Sequence, residues 1–364
     1  MQILVVNAGS SSVKLRVLDD ADDLVASRDL PREEPSALAA SLSTILEDHP
    51  GVAAIGHRVV HGGSAFEEPV LLDDRADATL EALADLAPLH NPIGLAAVRA
   101  LRSMRPDLPQ VACFDTAFHA HMPAKASTYA IPRSWREQWN IRRFGFHGLS
   151  HSWASRRAGT LLGRPREDLR LVTAHLGAGA SLAAVAFGRS VDTTMGFTPM
   201  DGLVMATRSG SVDPGLVLWV QRHGGLSADQ VLDALENDSG LRGLWGGSGD
   251  LRGVIAAMDG GDPAAALAYE VYVYRIQAGF AAMCAAMGGI DGLVFTGGAG
   301  EAASRLRADT CKGLGFLGVR IEASINDGRE GDGLVSPGRV APAVVVVQAR
   351  EDLEIAGHVR LLLR

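Results

Sequence analysis

The chain has 364 residues, 47% of them hydrophobic and 21% charged, with a formal net charge of −8. That length favours two domains, the balance excludes a disordered chain, and the acidic sign argues against the basic stripes of a nucleic-acid binder. The three scattered cysteines, Cys113, Cys284 and Cys311, make neither a disulfide framework nor a zinc pattern. No signal peptide or membrane-length apolar run is read, so a cytoplasmic protein acting on small molecules, without nucleic-acid or membrane partners, is expected.

Residues 3–6 are a continuous apolar run and 13–18 alternate, which predicts two strands around the turn Asn7-Ala8-Gly9-Ser10-Ser11-Ser12. Small residues let main-chain N–H groups approach an anion, with the hydroxyls and Lys14 as further donors. An ordinary hairpin loop could use the same residues. A helix is expected over 35–47. Residues 52–60 then form a buried strand carrying His57 and Arg58, where a guanidinium calls for either a salt bridge or an anionic ligand. Helices follow at 77–87 and 92–104, and a strand at 110–114 delivers Asp115 at its carboxyl end, a position that usually faces a ligand crevice. Residues 123–150 read as an irregular inter-domain segment. His147 and His151 are four apart, but Gly148 stands where a zinc motif would have Glu, so a hydrogen bond to a phosphoryl oxygen or a helix cap is the better reading. The His119-Ala120-His121 pair reads as structural.

After a helix at 151–162, residues 171–185 repeat the opening design: apolar run, small turn His175-Leu176-Gly177-Ala178-Gly179-Ala180-Ser181, apolar run. Two such units roughly half a chain apart predict two similarly built halves. Residues 191–214 form a long loop that presents Arg208 among small residues, a place suited to a carboxylate or phosphoryl group. Helices are expected at 215–223, 227–236 and 263–287, the last Ala-rich and able to pack closely, for example across a subunit interface. A third turn, Thr296-Gly297-Gly298-Ala299-Gly300-Glu301, lies between the apolar 293–295 and a helix at 302–312, an arrangement that suits phosphate. A strand at 343–347 and a helix at 351–362 follow. The alternation is that of an α/β protein. The P-loop, dinucleotide and protein-kinase signatures are missing, so any nucleotide has to be held by the hairpin-type turns.

Taken in order, these stretches resemble the acetokinase family of the actin and sugar-kinase superfamily. The resemblance is carried by Asn7 to Lys14, GHRVVHGG at 56–63, FDTAFH at 114–119 and FGFHGLSH at 144–151. It continues through His175 to Ser181, GFTPMDGLVMATRSG at 196–210, Asp250-Leu251-Arg252 and GGAGE at 297–301, and so spans essentially the whole chain. It implies two similar α/β domains around a central nucleotide and substrate cleft, 1–149 and 150–350, with a helix at about 351–364 packing back on the first. It also implies reversible transfer of the ATP γ-phosphoryl group to acetate, giving acetyl phosphate and ADP, with Mg2+ or Mn2+, by a homodimer.

By the same resemblance Asn7 and Glu351 hold the metal, Lys14 binds phosphate and Arg58 binds the substrate carboxylate. Asp115 is the catalytic acid, and His147 and Arg208 stabilise the transition state. Val60, Leu89, Phe146 and Pro199 surround the acetate methyl group. The nucleotide segments are His175, Leu176, Gly177, Ala178 and Gly179, then Asp250, Leu251 and Arg252, then Gly298, Ala299, Gly300, Glu301 and Ala302. Ala178 and Ala302 stand where the family usually has Asn, which bears on nucleotide affinity. A carboxylate acceptor is already ionised at neutral pH, so Asp115 reads as an orienting or metal-shell residue, against the family's assignment of proton handling. The competing readings are a kinase of propionate or butyrate and a nucleotide-binding module without turnover.

Overall fold

The opening run folds as β1 (Gln2–Ala8) and β2 (Ser12–Leu18), paired antiparallel in a register that sets Asn7 opposite Lys14. The computed structural model describes residues 1–9, 12–31, 35–83, 91–338 and 342–364. The chain divides into two units. The first comprises Met1–Ala120, Phe146–Trp153 and Arg350–Arg364, and the second His121–Gly145 and Ala154–Ala349.

In the first unit β3 (Leu24–Pro31), β4 (Val52–Val59), β5 (Val70–Leu71) and β6 (Gln110–Phe114) join the hairpin in a six-stranded sheet ordered β3-β2-β1-β4-β6-β5. β1, β4 and β6 run parallel, which brings their carboxyl ends side by side. Side chains alternate between faces along a strand. Leu4, Val6 and Ile55 accordingly pack with Leu42 and Leu101 of the helices Pro35–Asp48 and Asn91–Met104. Ile3, Val5 and Ala54 meet Ile355, Ala356 and Val359 of the helix Glu351–Leu362 on the other face.

The second unit repeats this plan. β7 (Arg170–Leu176), β8 (Ala180–Ala186), β9 (Arg189–Thr193), β10 (Gly292–Thr296), β11 (Gly333–Leu334) and β12 (Ala343–Val346) are ordered β11-β12-β10-β7-β8-β9. Again two antiparallel pairings lead into two parallel ones and an antiparallel edge. The helix Pro263–Met287 buries Tyr272, Ile276 and Phe280. Both units are therefore α/β with mixed sheets of one topology, as the two similar turns predict.

Several expectations need correction. The segment 123–150 is not irregular throughout: it holds the helices Ala124–Ser127 and Arg133–Trp139, the second closed by Asn140 in the left-handed region. The helix expected from 151 begins earlier, as Gly148–Leu162. The helix expected at 302–312 is two, Gly297–Ala302 and Ser304–Gly313, broken at Ala303. The helix expected at 77–87 is Asp74–Ala82, and 84–87 lie outside the described residues. The helices Gly240–Trp245 and Leu251–Asp259 are additions, masked in sequence by the glycines around them.

Candidate functional site

The parallel strands of the first unit deliver its polar residues to one place. Asn7 is the last residue but one of β1, Arg58 is near the end of β4, and Asp115 directly follows β6. Arg58 donates to Asp115 Oδ2 through Nη2 at 2.6 Å and Nε at 3.1 Å, and through Nη1 to Asn7 Oδ1 at 3.0 Å. Asn7 Nδ2 in turn donates to Glu351 Oε2 at 2.6 Å. The Arg58 side chain is 10% exposed and that of Asp115 fully buried. Burial works against the Arg58 charge, but the Asp115 and Glu351 carboxylates outweigh it and raise its pKa. Burial raises the Asp115 pKa, with Arg58 opposing and Glu351 adding.

One guanidinium thus faces two carboxylates, which leaves negative charge to be offset. Asp115 Oδ1 is buried without a hydrogen-bond partner. Glu351 offers carboxylate oxygens and Asn7 an amide oxygen, the two side chains being joined through Asn7 Nδ2 while Asn7 Oδ1 accepts from Arg58. Among the described residues no group of three or more His, Cys, Asp or Glu could hold a metal. A cation here would therefore keep water or substrate oxygens in its shell, which is the habit of Mg2+. The donor set fits that ion.

His147 lies just before the helix Gly148–Leu162 with φ 56, a left-handed conformation uncommon for a residue with a side chain. Gly148 explains how it is held. Its N–H donates to the Asp115 carbonyl at 3.0 Å, and a Cβ on it would come within 2.1 Å of that oxygen. Only glycine allows this approach, which ties the His147 backbone to Asp115. Phe146 is buried edge-on to His61, with ring centroids 5.2 Å apart, and Val60 is also buried. His119 Nε2 donates to the Phe146 carbonyl at 3.1 Å, and burial pushes its pKa down to about 4, so it is the structural histidine expected. Lys14 is exposed. Leu89 lies outside the described residues.

In the second unit three of the predicted segments line a single cavity of about 890 Å³. The β7–β8 turn contributes Gly177 and Ala178, the head of the helix Leu251–Asp259 contributes Asp250, Leu251 and Arg252, and the turn after β10 contributes Gly298, Ala299 and Ala302. Leu241, Ile255 and Tyr272 supply apolar wall. His175, Leu176, Gly179, Gly300 and Glu301 are not on that wall; the Glu301 side chain accepts from the Ala349 N–H at 2.9 Å instead. Gly297 has φ 79, and a Cβ there would meet the Leu176 backbone at 2.9–3.1 Å, so the turn packs onto β7 only as glycine. Arg208 Nη1 donates to the Pro199 carbonyl at 3.2 Å, and its Nε lies 3.9 Å from Glu236. Behind this cavity lies a further residue that the sequence reading did not single out. Arg307, a basic residue in a helical stretch with nothing to mark it, is buried and bonds the Gly300 and Glu301 carbonyls.

A model of the acetokinase family matches residues 32–357. The acetate kinase of Deinococcus deserti is 44% identical over 393 aligned positions, covering 100% of this chain and 98% of its own. That of Synechococcus sp. is 47% identical over 313, covering 86% and 77%. Among solved structures, the Porphyromonas gingivalis acetate kinase superposes with a TM-score of 0.92 at 36% identity over 100% of both chains. A propionate kinase from Francisella tularensis gives 0.91 at 34% over 99% of each.

Proposed function

Because the chain belongs to the acetokinase family, we propose that it transfers the γ-phosphoryl group of ATP to acetate, reversibly, giving acetyl phosphate and ADP. The observation that carries this reading is the bonded set of Asn7, Arg58 and Asp115 at the ends of parallel strands with Glu351 at the head of the closing helix. Acetate is a ready nucleophile, so no general base is required; the obstacle is bringing one anion against another. Arg58 commits three N–H donors to Asn7 and Asp115, so of a guanidinium's five, two are left for the acetate carboxylate. Asp115 fixes the plane of that fork and acts as an orienting residue. His147 and Arg208 stabilise charge on the transferring group, and Lys14 binds phosphate. Val60 and Phe146, both buried, form the first unit's wall around the methyl group. Glu351 and Asn7 hold Mg2+ or Mn2+, which when bound supplies positive charge to phosphoryl oxygens. ATP occupies the second unit's cavity, against Gly177, Ala178, Asp250, Leu251, Arg252, Gly298, Ala299 and Ala302.

A homodimer fits the helix Pro214–Gly224, which buries none of its residues and leaves Leu216, Leu218 and Trp219 exposed. Among the described residues no helix is long and apolar enough to cross a membrane, in keeping with a cytoplasmic enzyme. The test is acetohydroxamate formation from acetate, ATP, Mg2+ and hydroxylamine, repeated with propionate as acceptor and with GTP or pyrophosphate as donor. Turnover with acetate and ATP is expected. Folded protein inactive with every donor and acceptor would overturn the reading and leave a nucleotide-binding module.

A further inference from the structure

Arg307 belongs to the helix Ser304–Gly313 and is 1% exposed. Its Nε donates to Asn326 Oδ1 at 2.8 Å and its Nη2 to the Asn326 carbonyl at 3.0 Å. Its Nη1 donates to the carbonyls of Gly300 at 2.9 Å and Glu301 at 2.6 Å. Every acceptor is a neutral oxygen, and among the described residues no carboxylate forms an ion pair with it. A guanidinium removed from water is costly unless an anion offsets its charge. At position 326 the chain carries an amide, whose oxygen accepts from Arg307 while its Nδ2 donates to the Ser304 carbonyl at 2.9 Å, so the contact brings no negative charge. The Asp327 and Arg329 charges act on Arg307 in opposite senses.

What Arg307 holds is the turn after β10. Gly300 and Glu301 belong to the same short helix as Gly298, Ala299 and Ala302, which wall the cavity. The two arginines on that wall are already compensated. Arg252 Nη2 meets Asp250 Oδ2 at 2.6 Å, and Arg305 Nη1 meets Asp259 Oδ1 at 2.6 Å. Of these three cations only Arg307 keeps its charge uncompensated, and it stands behind the wall, where little water screens it.

We infer that Arg307 is a positioning residue of the phosphoryl-donor site. It anchors the Gly297–Ala302 turn by two carbonyls and places behind it a positive charge that the donor's phosphates complete. This rests on the cavity being the ATP site. A residue that serves the fold alone would influence every ligand of the cavity alike, or none. A residue that supplies charge distinguishes ligands with phosphates from those without.

The experiment uses the full-length protein with Arg307→Met, Arg307→Lys and Asn326→Asp. Folding is checked by thermal denaturation, ADP and adenosine affinities are measured by calorimetry, and KM is determined for ATP and for acetate. Asn326→Asp keeps an acceptor for the guanidinium and neutralises it, though it gives up the donation to the Ser304 carbonyl, and is expected to weaken ADP about tenfold, the order of one charge interaction, with adenosine as the control for the lost contact. Adenosine affinity and the acetate KM should stay within twofold of wild type. Arg307→Lys should recover more ADP affinity than Arg307→Met. Parallel loss of ADP and adenosine, or unchanged ADP affinity in folded Asn326→Asp, would overturn the inference while leaving the cavity as the nucleotide site. A wild type that binds neither ligand would overturn the cavity assignment and the inference with it.

Discussion

The two sheets share one strand order, yet their strand ends present opposite kinds of chemistry. In the first unit β1, β4 and β6 lead to Asn7, Arg58 and Asp115, which are buried or nearly so and bonded to one another. In the second, β7 and β10 lead into turns of glycine and alanine that wall an open cavity, and the uncompensated cation, Arg307, is kept behind them. The contrast follows from what each end would bind. A small monoanion offers little to grip, so side chains must reach it. A nucleotide needs room and a permissive backbone. One fold supports both because a site is a graft on strand ends, not a property of the sheet.

The widest separation should come from two arginines. Arg58→Ala leaves the buried Asp115 carboxylate without its cation, a loss of about 3–5 kcal/mol. It should therefore lower the thermal midpoint as well as activity, and raise the acetate KM. Arg208→Ala should cost roughly 10²–10³ in kcat with a smaller fall in the thermal midpoint, since Glu236, 3.9 Å from its Nε, is 18% exposed where Asp115 is fully buried. Equal thermal midpoints for the two variants would erase the distinction between the regions.

Acid should tell the units apart next. Burial pushes the pKa of His57 and of His119 down to about 4, and both belong to the first unit. Above pH about 6.5 neither folded nor unfolded imidazole is charged, and stability is intact. As pH falls from there towards 4 the unfolded chain takes up protons that the native one refuses, at up to about 3 kcal/mol per histidine. Asp115 acts in the opposite sense, since its raised pKa favours the native state as protons bind, so the net fall is less than the sum. No histidine of the second unit is buried among the described residues. Hydrogen exchange at pH 7 and 4.5 should show first-unit amides losing protection sooner, and uniform loss would contradict this.

Smaller effects probe each pocket alone. Val60→Ala should raise the propionate-to-acetate ratio of kcat/KM on the order of tenfold, the scale of one methylene in an apolar pocket. An unmoved ratio would show that Val60 does not face the substrate. Ala178→Asn and Ala302→Asn should each lower the ATP KM by roughly two- to tenfold, from about 0.5–1.5 kcal/mol per amide contact. An unchanged KM would mean that other groups have replaced those contacts.

Much of this was legible because local. Two small turns in similar apolar settings announced two like halves, and Arg58 in an apolar strand announced a buried partner. Glu351 was different. Its contact with Asn7 joins residues 344 apart, which no spacing encodes, and it was foreseen only through the family resemblance. Arg307 gave no signal, since SRLRADTCKG reads as a solvated helix face, and its burial depends on Asn326 and on the turn it holds. The helix Leu251–Asp259 was hidden by Gly246, Gly247 and Gly249 before it and Gly253 within it.

The helix Glu351–Leu362 has a consequence for biosynthesis. Ile355, Ala356 and Val359 complete one face of the first sheet, and Glu351 bonds Asn7 on its first strand. A ribosome reaches these residues only after making the whole of the second unit. The part of the chain synthesised first is thus the part that must wait, with β1, β4 and β6 lacking their cover, while the part made later can close on its own. Ile3, Val5 and Ala54 of that waiting sheet are the apolar surface that stays uncovered in the meantime, the kind of surface on which nascent chains aggregate.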